Sequence, residues 1–474
     1  MKRTILLAGA LLALWTAGSP LAAPQAPPLR TFRLDLVHTG GKGEELFALE
    51  RMVLEPLPWP GNPDAPIDPT GWGKYLFEVR DLETQRLLYS RGYASIYGEW
   101  ETTEEAARMH RAFGESLRFP VPAGPVQVVI KKRDARTPAF REVWTHVVDP
   151  ADPFVDPSVP PPAGPRLSLH GSGDPARKLD LLVLGDGYTA AERGKFEEQA
   201  RRLTGILLEK EPFKGRAADL NVWGLCPAAA EPGISRPSTG VHRRSPLGAT
   251  YDTFGSERYV LTFDNRALRE IASQAPYDAL VILVNGQTYG GGGIFNLYST
   301  AASESLWAPY VFVHELGHHL AGLADEYFTS ESAYAPAGAD RPEPWEVNAT
   351  ALHDPAALKW KDLVAAGTPL PTPWDLDGYV AWQKDVQAER KRLRAERRPE
   401  AEMDALFSRE KAQATEFLRK QAQWGKVGAF EGANYEAKGY YRPELDCIMF
   451  SRNDVPFCSV CRRALSRVLD LYSR

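Results

Sequence analysis

The segment 311–327, VFVHELGHHLAGLADEY, constrains this chain more than any other stretch, because its polar residues converge only if it is helical. His314 and His318 are four residues apart, so on a helix both imidazoles leave the same face, with Glu315 directly after the first. Phe312, Leu316 and Leu320 recur at helical spacing on a second face that can be buried, and Pro309 suits a first turn. Two imidazoles one turn apart suit a zinc ion, and the adjoining carboxylate is placed to act on water rather than to bind metal. Gly322 can end the helix in a left-handed conformation and return the chain towards the histidines, and Asp325 and Glu326 follow it. His319, five residues from His314, faces elsewhere and is expected to pack or to support its neighbours.

A chain of 474 residues has room for two or three domains, and its net charge of −5 gives no reason to expect a nucleic-acid partner. Met1-Lys2-Arg3, an apolar run to Trp15 and then Ser19-Pro20-Leu21-Ala22-Ala23 have the order of a secretory signal peptide, expected to occupy 1–23. The mature protein is then secreted or periplasmic, with no transmembrane segment once the leader is removed. Export permits disulfides, and structural disulfides are expected among Cys226, Cys447, Cys458 and Cys461, with Cys447 joined to Cys458 or Cys461.

From 24 to 148 short alternating runs separated by Gly and Pro clusters predict an all-β sandwich, an accessory domain with no ligand-spaced cluster of histidines or acids. The stretch 149–166 is proline-rich and is expected to be a semi-rigid linker. From 167 to 474 strands and helices alternate: Leu179–Leu184, Leu220–Leu225 and Leu280–Val284 are apolar strand patterns. Thr189 and Glu192 make a capping box before a helix with Phe196, Ala200, Leu203 and Leu207 on one face. That alternation predicts an α/β or α+β layer. Gly290–Gly293 lacks the lysine and hydroxyl residues of a phosphate loop, leaving either a bulged loop or an exposed edge strand able to pair with a substrate backbone. An insertion at about 342–427 is dense in charge from Gln383 to Gln423 and split by Pro399, which predicts a pair of solvated helices. Asn348-Ala349-Thr350 matches a glycosylation acceptor, and a chance match is the preferred reading.

The HELGH and GLADEY strings, Gly439-Tyr440-Tyr441-Arg442-Pro443, and the terminal CIMF and FCSVC strings together resemble the M64 family of metallopeptidases, the IgA peptidase family, over roughly residues 179–461. The motif is also similar to that of metzincins, H-E-x-x-H-x-x-G-x-x-H/D, except that Gly322 lies one position late while the glycine-to-aspartate spacing is kept. The resemblance implies a multidomain protein, an N-terminal β-sandwich followed by a zincin-type metallopeptidase domain. It also implies a protein or peptide substrate, and a methionine turn from Cys447-Ile448-Met449 beneath the metal. On that basis His314, His318 and Asp325 are the expected zinc ligands and Glu315 the catalytic base. Glu326 is the competing third ligand, and in an extended segment it points the opposite way from Asp325. Tyr440, Tyr441 and Arg442 are candidates for stabilising an oxyanion by family position. Two other readings remain: a secreted binding protein with a vestigial metal site, against which the intact Glu315 argues, and a zinc amidase acting on cell-wall peptides.

Overall fold

The computed structural model describes residues 29–171, 173–329 and 341–473, so the expected signal peptide lies outside the described residues. The first part of the chain is rich in strands. Two four-stranded sheets, one centred on Arg30–Gly41 and Glu44–Pro58 and the other on Tyr75–Asp81 and Val126–Arg133, enclose a single core. Phe32, Leu34, Phe77, Phe119, Val128 and Ile130 fill it, and the alternation along each strand supplies them, since every second side chain faces inward.

The second part is mixed α/β. Its six-stranded sheet runs Gly291–Ile294, Tyr298–Ala302, Ala279–Val284, Leu179–Asp186, Leu220–Leu225, Leu167–His170. The inner four strands are parallel and the two outermost run antiparallel to their neighbours. Leu179–Asp186 and Ala279–Val284 are buried along their whole length, which is why they are continuous apolar runs rather than alternating ones. The helix Arg193–Leu208 buries Phe196, Ala200, Leu203 and Leu207 behind the Thr189–Glu192 capping box. On the same core lies the histidine helix, Ala308–Ala321, with Pro309 in its first turn and Gly322 closing it at φ +56°.

Three expectations need correction. The charged insertion does form two helices, Leu376–Ala395 and Glu400–Arg419, divided at Pro399, but they are not simply solvated. Leu393, Met403, Leu406, Phe407 and Leu418 are buried in the main core, and the Phe407 ring packs on Tyr289 and Trp307. Sparse apolar residues at helical spacing suffice for one buried stripe. The proline-rich stretch, expected as a semi-rigid linker, is tethered to both parts: Val155–Asp156 pairs with Met52 and Val53, and Ala163 N–H donates to Gln274 Oε1. The expected disulfide from Cys447 is not formed either; its Sγ stands 4.0 Å from that of Cys461, about twice a disulfide length.

The two parts share a second core. Ile96, Tyr97, Trp100 and Phe113 of the strand-rich part pack with Leu182, Leu184, Leu268 and Ile282 of the α/β part. Around it, Arg118 donates to Glu55 and to the Tyr277 carbonyl, with its guanidinium 3.5 Å from the Tyr277 ring centroid.

Candidate active site

The histidine helix presents His314 and His318 side by side, their Nε2 atoms 3.1 Å apart. Gly322 N–H caps the His318 carbonyl, and the chain then doubles back so that Asp325 meets both rings. Asp325 Oδ1 lies 3.0 Å from His314 Nε2 and 3.3 Å from His318 Nε2. A Cβ at Gly322 would sit 2.4 Å from the Trp345 ring, so the turn needs glycine for space as well as for its positive φ.

The hydrogen bonds behind the rings settle what these three atoms can do. His314 Nδ1 is 2.9 Å from the Ile448 carbonyl and 3.1 Å from Tyr310 Oη, and His318 Nδ1 is 2.5 Å from the Leu323 carbonyl. A carbonyl can only accept, so each Nδ1 carries the proton and each neutral ring offers a lone pair at Nε2. Asp325 Oδ1 is buried and has no hydrogen-bond donor. Three acceptors thus converge on one point, an arrangement that calls for a cation. Burial opposes charging His318, yet the facing Asp325 carboxylate outweighs it and pushes that imidazole up to about 9. Burial likewise disfavours the Asp325 carboxylate, and the His318 and His314 rings more than offset it, holding the group well below its usual range. A proton answers the demand of the bare side chains, and a metal answers it better: tetrahedral zinc with bonds of about 2.0–2.1 Å needs ligand edges of about 3.3 Å.

Glu315 lies beside this triangle, half-buried in a cleft of about 610 Å³. Burial raises its carboxyl above the ordinary value, while the two histidines pull it down. The cleft is built from distant parts of the chain. The edge strand contributes Gly291–Gly293, the strand-rich part contributes Lys74 and Glu99, and further segments contribute Arg258, Tyr327 and Tyr435.

Gly290–Gly293 therefore does lead an edge strand over the histidine helix, but its glycines serve packing against the protein itself. A Cβ at Gly293 would lie 2.4 Å from the Glu315 carbonyl oxygen, and one at Gly292 would lie 2.5 Å from the Tyr259 ring. The outer edge is already paired at Gly291, whose N–H donates to Arg258 O and whose carbonyl accepts from Val260 N–H.

Tyr435 was not legible in the sequence. It stands 110 residues from Asp325, at the turn of a hairpin formed by Phe430–Ala433 and Glu436–Arg442, and its hydroxyl donates to Asp325 Oδ2. That bond leaves Oδ1 turned to the histidines. Tyr435 and its neighbour Asn434 take positive φ, and their N–H groups donate to the Tyr327 and Asp325 carbonyls, so the hairpin holds the returning segment in place. Arg258 Nη2 donates to Tyr327 Oη, and the Tyr327 ring lies near-parallel to His314 with centroids 6.3 Å apart.

The family-position candidates fall elsewhere. Tyr440 reaches the cleft, but its hydroxyl is bonded to the Pro342 carbonyl. Tyr441 pairs through its backbone with Thr350, and Arg442 is fully buried, donating to the Glu431, Gly432 and Leu445 carbonyls. His319 bridges the Ile294 carbonyl and Leu280 N–H, a packing role. Asn348 is wholly buried and bonded to both backbone groups of Ala324, which leaves no acceptor for a glycan. Met449 is fully buried, its sulfur against the helix at Gly317.

Comparison with known families gives two matches: a model described as IgA Peptidase M64 over residues 167–469, and one described as Peptidase M64 N-terminus over residues 27–145. No curated protein matches the chain.

Proposed function

Because the chain belongs to the IgA peptidase M64 family, a family of metallopeptidases, we propose that it is an exported zinc endopeptidase with a zincin-type catalytic domain at 167–474. His314, His318 and Asp325 hold the metal and Glu315 is the general base. The observation that carries this is the triangle of acceptor atoms with edges of 3.0, 3.1 and 3.3 Å, with a Glu315 carboxylate oxygen within 4.8 Å of a ring nitrogen of each histidine. Zinc suits a set of two imidazoles and one carboxylate with an open position, and when bound it supplies Lewis acidity to a scissile carbonyl and to water.

The chain's own residues do the rest. Glu315, raised by burial, accepts a proton from the attacking water and returns it to the leaving amine. Tyr435 keeps Asp325 aimed at the histidines. Arg258 and Tyr327, both in the cleft wall, can offer N–H and O–H donors to negative charge that develops on the substrate. The strand-rich part, at about 24–148, adds Lys74 and Glu99 to the wall and so takes part in choosing the peptide. Export rests on the leader at 1–23, and among the described residues no helix is long and apolar enough to cross a membrane.

The test is Glu315→Gln assayed against a mixed peptide library, with metal content measured in parallel. Zinc should remain, and cleavage should fall by at least ~10²- to 10⁴-fold, the share that general base catalysis supplies. Cleavage at the wild-type rate, or wild-type activity that survives full chelation, would overturn the assignment.

A further inference from the structure

Behind the Asp325 carboxylate lies a second group of ligand-type side chains that the peptidase chemistry does not use. Glu326, Cys447, Cys458 and Cys461 are all buried, at 0, 0, 2 and 0% exposure, and one ligand atom from each falls within 4.8 Å of all the others. Cys461 Sγ is 3.4 Å and Cys458 Sγ 3.9 Å from Glu326 Oε1, and the sulfurs of Cys447 and Cys461 are 4.0 Å apart. A tetrahedral zinc with bonds of about 2.3 Å to sulfur and about 2.0–2.2 Å to oxygen requires edges of about 3.8 Å between sulfurs and about 3.5 Å from sulfur to oxygen.

Disulfide formation does not account for this cluster. Any pairing of two of its three cysteines strands the third in a buried pocket, and Cys226 packs elsewhere, against Gly185. It would also leave Glu326 Oε2, which is buried, without a hydrogen-bond partner. The surroundings suit thiolates. Cys458 N–H and Met449 N–H point at Cys447 Sγ from 3.2 and 3.5 Å, and Cys461 N–H points at Cys458 Sγ from 3.4 Å. Cys458 also caps the N-terminus of the helix Ser459–Tyr472, where the helix dipole favours negative charge. Asn348 Nδ2 donates to Glu326 Oε1 at 2.9 Å and orients the carboxylate, as partners of metal ligands commonly do.

We propose that Glu326, Cys447, Cys458 and Cys461 bind a second metal ion, a structural zinc, in a closed site with four protein ligands. With no open position it has no catalytic use. What it does is staple the returning chain after Gly322 to the methionine segment and the start of the terminal helix, which lie far downstream in sequence. Glu326 is the neighbour of Asp325, and Cys447 the neighbour of Ile448, whose carbonyl orients His314. The structural ion would thereby brace two supports of the active site from behind.

Cobalt discriminates between the two sites, because only this one contains sulfur. The metal-free full-length protein is reconstituted with Co²⁺ and its near-ultraviolet spectrum recorded for the intact chain, for His314→Ala and for Cys461→Ser. A sulfur-to-cobalt charge-transfer band should appear in the intact chain and in His314→Ala, and should fall by at least about a third in Cys461→Ser, which removes one of the three sulfur ligands. The intact chain should carry twice the metal of His314→Ala. The band does not depend on the histidine site, so failure of the peptidase reading would not remove it, whereas equal metal in the intact chain and His314→Ala would count against the histidine site alone. If Cys461→Ser does not fold, the intact chain and His314→Ala still decide. Bound cobalt without a charge-transfer band, or a disulfide between any two of these three cysteines in unreduced peptide maps, would overturn the proposal.

Discussion

Asp325 and Glu326 show how much one backbone step decides at the scale of the residue. Adjacent side chains of an extended segment leave on opposite sides, so Asp325 meets the two histidines while Glu326 meets the cysteines. Tyr435 completes the first of these environments by holding the Asp325 oxygen that does not face the rings. Tyr435→Phe removes one hydroxyl and keeps the ring stacked edge-on to Tyr327. Zinc affinity should fall ~10- to 100-fold, the usual effect of losing a partner of a metal ligand, and the thermal midpoint of the zinc-loaded protein should fall with it. Titration against a competing chelator measures this. An affinity equal to that of the parent would mean that Tyr435 does not position Asp325.

The edge strand Gly291–Ile294 and the histidine helix form a unit at the scale of the element. Strand backbone lies directly on helix backbone because no Cβ intervenes. Gly293→Val would drive a branched side chain into the Glu315 carbonyl and His318 Cβ, which a Cβ alone already meets at 2.4 and 2.9 Å. Overpacking of this kind typically costs about 1–3 kcal/mol, and here it also shifts the histidines. The urea midpoint and the zinc content should therefore fall together. A variant with unchanged midpoint and metal but slower cleavage of long peptides would show instead that the glycines serve the substrate.

His38 belongs to the scale of the whole molecule, since its ring is stacked between Phe47 and Tyr97, and Tyr97 lies in the core shared by the two parts. Burial works against charging it, but Glu115, 2.5 Å away, and Glu45 prevail and raise its pKa. An imidazole whose folded pKa exceeds its unfolded value of about 6.5 contributes stability that is fully present below that value and lost as pH rises through the folded pKa. His38→Gln cannot be charged, so the gap in melting temperature between parent and variant should be widest below about pH 6.5 and narrow on the alkaline side. A gap independent of pH would mean that this ion pair does not contribute to the stability of the strand-rich part.

What the sequence determined by itself was whatever short-range spacing encodes. His314, Glu315 and His318 follow from helical periodicity, Gly322 from the need for a positive φ, and the buried strands from unbroken apolar runs. The separation of Asp325 from Glu326 also follows, from the alternation of an extended chain. Tertiary structure alone decided which distant groups meet. Tyr435 reaches Asp325 across 110 residues because a hairpin docks there, and no local pattern marks that contact. The cysteine spacing suited a disulfide, and only the approach of Glu326 and the sulfur separations argue against one. The glycine run announced close approach without saying to what, and the charged helices carried a buried stripe too sparse to stand out. Local geometry is written in neighbouring residues, whereas these outcomes depend on shape complementarity between surfaces that exist only once the chain has folded.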